Sequence, residues 1–126
     1  MASILLADDE ETVRNLFEMV LDSVGHTVTC VSNGEQVLAA LSEGSFDLIV
    51  SDNNMRSKKD GVVVLDELRN EGNMIPFILL SGYALLEDGT LLTDLCEVRG
   101  AYFFQKPVKN KVLLEAVANA LAKAGK

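Results

Sequence analysis

Short apolar runs alternate along the chain with segments whose apolar residues recur every three or four positions. The runs span Ser3 to Ala7, Thr27 to Val31, Phe46 to Ser51, Ile75 to Ser81 and Ala101 to Gln105. Three contain unbroken apolar stretches, Ile4-Leu5-Leu6, Leu48-Ile49-Val50 and Phe77-Ile78-Leu79-Leu80, the pattern of strands buried on both faces of a parallel sheet. After the first run, Val13, Leu16, Phe17, Val20, Leu21 and Val24 form one stripe of helical spacing, expected to face the core throughout. Asn33 followed by Gln36 has the spacing of a capping box and opens a second helix, with Val37, Leu38 and Leu41 inward and Gly44 at its end. A third helix is expected from Gly61 to Glu71, with Val62, Leu65 and Leu68 inward and Gly72 as its stop. A fourth, from about Asp88 to Val98, carries Leu91, Leu92, Leu95 and Cys96. The last begins beyond Pro107 and buries Leu113, Ala116, Val117, Ala120 and Leu121. Strict alternation of strand and helix predicts parallel strands joined by right-handed crossovers with helices on both faces, a doubly wound α/β domain.

Charge narrows what such a domain can bind. With 11 basic and 19 acidic residues the 126-residue chain carries a net charge of −8, which argues against binding a polyanion such as nucleic acid or an anionic lipid surface without another chain. The length suits a single domain over residues 1–126. The longest apolar run, Met74 to Leu86, has 13 residues interrupted by Pro76, Ser81 and Gly82, short of the roughly 18 that a membrane span requires. The N-terminal segment lacks a basic region and turns acidic at Asp8-Asp9, unlike a signal peptide. A soluble cytoplasmic protein is the expectation. Cys30 and Cys96 stand far apart without metal-ligand spacing and are expected to be reduced and idle, and His26 to be a surface residue in the turn before the second strand.

In doubly wound sheets, chemistry collects beyond the carboxyl ends of the strands. The residues at those ends are Asp8-Asp9-Glu10, then Asp52, then Ser81-Gly82, then Lys106-Pro107, while Val31-Ser32-Asn33 supplies only a helix cap. Asp8, Asp9 and Asp52 brought together repel one another, and protonation or a cation must relieve them. Oxygen donors without His or Cys favour Mg²⁺. A lysine opposite suits a phosphoryl oxygen as a point charge, Ser81 can donate to another, and a carboxylate is a candidate nucleophile. Each element alone has an ordinary reading, a solvated helix N-terminus or a turn former. Their conjunction in this order describes a site for a transferable phosphoryl group.

The motifs Ile4-Leu5-Leu6-Ala7-Asp8-Asp9-Glu10, Asp47-Leu48-Ile49-Val50-Ser51-Asp52-Asn53-Asn54-Met55, Asp60-Gly61, Ile78-Leu79-Leu80-Ser81-Gly82 and Gln105-Lys106-Pro107 resemble, as a set, the receiver domain of two-component response regulators of the chemotaxis type. The resemblance covers nearly the whole chain. It implies a flavodoxin-like (βα)5 fold with strand order 2-1-3-4-5, and a phosphoacceptor at Asp52 supplied by a sensor histidine kinase or phosphotransfer protein. It further implies Mg²⁺ held by Asp8, Asp9, Asp52 and the backbone carbonyl of Asn54, with Asp8 acting largely through a metal-bound water. Lys106 would pair with the phosphoryl group, Ser81 would swing towards it, and Phe103 would rotate inward as the switch. The face of the fourth helix, fifth strand and fifth helix would then change for a downstream protein partner. Asn54 and Tyr83 would tune phosphate lifetime, Tyr83 by shielding or Asn54 by orienting water.

The chain departs from the family pattern in three places. Arg56 stands where a proline is usual, Asp52 and Gly61 are nine apart rather than eight, and the stretch from Tyr83 to Arg99 is longer. The basic loop Arg56-Ser57-Lys58-Lys59 leaves open a binding module that has lost phosphorylation. A haloacid-dehalogenase-like phosphatase needs Asp-x-Asp after its first strand, which is missing, and a flavodoxin phosphate loop is incompatible with paired carboxylates. The chain is either a free-standing receiver or one excised from a longer regulator.

Overall fold

The structure is a computed structural model and describes residues 1–55 and 59–125. Arg56, Ser57 and Lys58, the centre of the basic loop singled out above, lie outside the described residues. Five strands, β1 (Ser3–Ala7), β2 (Thr27–Val31), β3 (Leu48–Asp52), β4 (Phe77–Ser81) and β5 (Tyr102–Gln105), alternate with α1 (Glu11–Asp22), α2 (Gly34–Glu43), α3 (Gly61–Asn70), α4 (Leu92–Val98) and α5 (Asn110–Lys123). All strand pairs are parallel, in the order β2-β1-β3-β4-β5. Alternate residues of each central strand feed two cores. Ile4, Leu6, Val50, Ile78 and Leu80 pack under α1 and α5 with Phe17, Leu21, Leu113 and Val117. Leu5, Ile49, Phe77 and Leu79 pack under α2, α3 and α4 with Val37, Leu65, Leu92 and Cys96. Strands β3 and β4 are buried at every position, as their unbroken apolar runs require.

Several local expectations are corrected. Phe46 and Ile75 precede their strands, partly buried against the second core but outside the ladder, so β3 and β4 each start two residues later than the apolar runs do. In α1, Phe17 and Leu21 are buried, but Leu16 is 46% exposed, and Val24 lies beyond the helix end. The stripe is wider than the sheet can cover. The Asn33 side chain accepts the Gln36 N–H at 2.9 Å as expected, whereas Gln36 Oε1 reaches the Ser32 N–H at 2.7 Å instead of that of Asn33. The largest departure is α4, which starts at Leu92 and not near Asp88. Residues 84–92 form a small antiparallel turn instead: Leu85 bridges Leu91, the Leu86 N–H donates to Thr90 O, and Leu92 N–H to Ala84 O. Gly89 takes φ +88° and Asp88 Oδ1 accepts the Thr90 N–H at 2.9 Å, so Asp88-Gly89 is spent on the turn.

The remaining groups behave as ordinary structure. His26 is partly buried, its Nδ1 accepting the Ala2 N–H at 3.1 Å. Cys96 is buried and Cys30 half-buried; both are free, and burial pushes each thiol up to about 11. No helix among the described residues is long and apolar enough to cross a membrane.

One close approach ties the second core to the end of β3. A Cβ on Gly61 would stand 2.7 Å from Asp52 O and 2.6 Å from a Leu79 methyl. Only glycine lets α3 start against the strand end there. Gly61→Ala is therefore expected to destabilise the protein by about 1–3 kcal/mol, the range of overpacking, measured as a lowered urea midpoint at unchanged slope. A midpoint equal to that of the parent would mean that the contact relaxes freely.

Candidate functional site

Parallel register sets the positions of the chemistry. Ala7 is paired with Ser51 and Ser81 with Gln105, so the residues that follow, Asp8 and Asp52 on one side and Lys106 on the other, emerge at one edge of the sheet. Carboxylate oxygens of Asp8, Asp9 and Asp52 lie within 4.8 Å of one another. Asp8 is 1% and Asp52 6% exposed. Lys106 Nζ stands between them, 3.0 Å from Asp8 Oδ2 and 3.4 Å from Asp52 Oδ1. The structure thus brings together four of the residues singled out in the sequence and adds an ion pair within the group.

Backbone bonds hold the loops that present these groups. Asp8 Oδ1 accepts the Glu10 N–H at 2.9 Å, and Arg14 donates to Asp8 O at 2.8 Å. The Lys106 N–H donates to Ser81 O at 2.7 Å, tying the ends of β4 and β5, and the Lys106–Pro107 bond is cis. Two residues assigned no role from the sequence prove to pin the loop that follows β3. Buried Asn53 donates its N–H to Leu80 O at 2.8 Å and accepts the Val62 N–H on Oδ1 at 3.0 Å. Asp60 Oδ1 accepts the Met55 N–H at 3.0 Å. An Asn or Asp bracketing a strand-to-helix loop is the available signal, since such side chains cap backbone donors.

The other sequence candidates sit around this centre. A cavity of about 470 Å³ is lined by Asp9, Asp52, Asn54, Tyr83 and Lys106 among others. Asn54 and Tyr83 are exposed at its rim, Tyr83 by 69%. Ser81 is buried, and its Oγ accepts the Tyr83 N–H at 3.1 Å. Phe103 lies opposite Leu79 on β5, partly buried against the core beneath α3 and α4.

Electrostatically the site is under tension. Burial, with repulsion from Asp8 and Asp9 and despite the opposing pull of Lys106, pushes the Asp52 carboxyl up to about 6. Burial works against the Lys106 ammonium, but its hydrogen bond to Asp8 and the charges of Asp52 and Asp8 outweigh that and hold it above the ordinary lysine value. A cluster of oxygen donors at this spacing fits a hard divalent cation such as Mg²⁺.

The family profile described as the response regulator receiver domain matches residues 4–118, and the chain belongs to that family of two-component systems. It is 33% identical over 92% of its length to the sensory/regulatory protein RpfC of Xanthomonas campestris, spanning 16% of that protein. It is 35% identical over 98% of its length to the probable transcriptional regulator ycf27 of Pyropia yezoensis, spanning 49% of it. The chain thus spans half or less of these curated relatives. Among solved structures, a response regulator receiver domain protein from Clostridium thermocellum superposes with a TM-score of 0.86 at 27% identity, covering 99% of this chain and 98% of that one.

The elevated Asp52 carboxyl links stability to pH. Its ordinary value is near 4 and its folded value about 6, so between the two the folded state binds more protons than the unfolded. The stabilising contribution of the protonated form is complete below about pH 4 and is lost as the pH rises through 6, amounting to roughly 2–3 kcal/mol at 1.36 kcal/mol per unit. In EDTA at pH 7.5, Asp52→Asn is expected to melt several degrees above the parent, with the gap closing towards pH 4. A pH-independent gap would show that the Asp52 charge is not the source.

Proposed function

We propose that this receiver is a phosphoacceptor switch over residues 1–126, with Asp52 taking a phosphoryl group from the phosphohistidine of a sensor histidine kinase or phosphotransfer protein in the cytoplasm. The observation that carries the reading is a buried carboxylate with two further carboxylates within 4.8 Å and an ammonium at 3.4 Å. A carboxylate oxygen of Asp52 attacks phosphorus, the P–N bond breaks, and its electron pair stays on the donor imidazole. Asp8, Asp9, Asp52 and the Asn54 carbonyl would hold Mg²⁺, which when bound neutralises charge on the transferring group. Lys106 exchanges its bonds to Asp8 and Asp52 for a phosphoryl oxygen, acting as a point charge. No separate general base is needed, because such transfer is largely positioning and charge stabilisation.

After transfer, the Ser81 hydroxyl turns from the Tyr83 N–H to a phosphoryl oxygen. Phe103 moves inward beside it and alters the face made by α4, β5 and α5 for a downstream protein, a population shift between two states. Tyr83 and Asn54 at the cavity rim govern water access and so the lifetime of the aspartyl phosphate. The domain catalyses only its own phosphorylation and dephosphorylation.

Mass spectrometry after incubation with acetyl phosphate is the direct test. A Mg²⁺-dependent adduct on Asp52 is expected, absent from Asp52→Ala, while Lys106→Ala is expected to label but to lose most of the conformational response to beryllofluoride. Label retained by Asp52→Ala would place the acceptor elsewhere. Absence of both adduct and beryllofluoride binding would leave a phosphorylation-independent binding module.

A donor must reach Asp52 across neighbouring surface. Exposed Leu16 lines an open groove of about 370 Å³ with Val13, Phe17, Pro107 and Val108, next to Lys106. Leu16→Asp is expected to slow transfer from a phosphohistidine protein about tenfold or more, leaving acetyl phosphate labelling at the parental rate. Equal slowing of both donors would instead indicate damage to the site.

A further inference from the structure

The surface of α4 is divided lengthwise. Leu92 and Cys96 are buried against the sheet. On the flank facing α3, Leu95 and Val98 of α4 line a groove, and Leu91, the extended residue before the helix, adds an exposed apolar side chain immediately ahead of it. Leu91 is 45% and Val98 84% exposed. The opposite flank, towards β5, carries Thr93 and Glu97 and is polar. Between α3 and α4 lies an open groove of about 330 Å³ lined by Asp66, Thr90, Asp94, Leu95, Val98 and Arg99.

The segment leading into and forming α4 carries charge of one sign. From Tyr83 to Val98 the chain carries Glu87, Asp88, Asp94 and Glu97 and no Lys, Arg or His. Arg99, the cation of the groove, is occupied by Asp66 at 2.9 Å and Asn70 at 3.2 Å. An apolar groove with an acidic border is complementary to an amphipathic helix whose apolar face is flanked by lysine or arginine. A second copy of this chain fits poorly, because a two-fold contact presents the same patch to itself and sets the acidic borders against each other.

We propose that the groove between α3 and α4 docks a basic amphipathic helix of a partner protein, on the flank of α4 away from β5. Leu95 and Val98 supply the apolar seat, extended by Leu91 ahead of the helix, and Asp94 in the groove takes up the partner's positive charge. Control of this docking by phosphorylation rests on the phosphoacceptor reading, since the segment leading into α4 begins at Ser81; docking itself does not.

The test is an NMR titration of the isotope-labelled chain, with and without beryllofluoride and Mg²⁺, using a synthetic Leu/Lys helical peptide and its Leu/Glu counterpart. Perturbations centred on Asp66, Leu91, Leu95, Val98 and Arg99 are expected with the lysine peptide alone. The exposed substitution Val98→Asn should weaken binding about tenfold, Asp94→Asn about threefold, and Thr93→Asn not at all, each variant keeping the parental circular dichroism. Perturbations centred on Thr93, Glu97 and Phe103, equal binding of the glutamate peptide, or indifference to Val98→Asn would overturn the proposal. So would a concentration-dependent dimer that Val98→Asn abolishes, which would make a second copy the occupant. Acetyl phosphate labelling is read separately: its failure with the titration intact overturns the phosphoacceptor reading alone.

Discussion

The structure is organised around an electrostatic conflict: three carboxylates within 4.8 Å, two of them buried, with the Lys106 ammonium against Asp8 and Asp52. Two elementary charges of the same sign at such separations repel by several kcal/mol in a medium less polar than water. Lys106 relieves part of this through Asp8 and Asp52, yet the Asp52 carboxyl remains pushed up to about 6. The resulting site favours added positive charge, and under the proposed reading an anionic group would enter together with it. The acceptor chemistry and the cation requirement proposed for this site therefore share one physical origin.

What holds the conflict in place is the register of the sheet. Ile4 and Leu6 face one core and Leu5 and Ala7 the other, so a slip of one residue in β1 would exchange the two faces along the whole strand. The same pairing that fills both cores sets Ala7 beside Ser51 and Ser81 beside Gln105. The next residues along, Asp8, Asp52 and Lys106, are brought together as a consequence. Burial of apolar surface thus overcomes a repulsion that the site residues could not overcome by themselves, and Asn53 and Gly61 carry the restraint from α3 back to Asp52.

This coupling explains why the centre of the site was readable from the chain. Asp8, Asp52, Ser81 and Lys106 each follow an apolar run whose length and continuity mark a buried strand, so strand ends and chemistry were located together. Features that depend on tertiary geometry were not. Leu16 belongs to the periodic stripe of α1, yet its exposure depends on how much of the helix the sheet covers. Asn53 reads as one more polar residue after a strand until α3 is seen to supply the Val62 N–H. The start of α4 was misplaced because Leu91, Leu92, Leu95 and Cys96 dominate the periodicity, while Asp88-Gly89 carried a turn signal that competes with helix initiation.

That turn changes how α4 is anchored. At the helix's far end, the largely buried Arg69 of α3 donates to Arg99 O at 2.6 Å, to Gly100 O at 3.3 Å and to Asn73 O at 2.8 Å. A guanidinium with three carbonyl acceptors is a strong tether, because removing any partner leaves a buried charge less well satisfied. The near end joins Ser81 through residues 82–91, most of which are exposed. Under the proposed switch, a rearrangement at Ser81 would pass through this exposed segment to the hydrogen-bonded turn at the start of α4 and would meet its strongest resistance at the end of the helix. Displacement of α4 in that switch would be a pivot about its Arg99 end, with the largest travel at the start of the helix. The start of the α3 flank would then change more than the Arg99 end, and a partner seated there as proposed would sense the change through its apolar contacts.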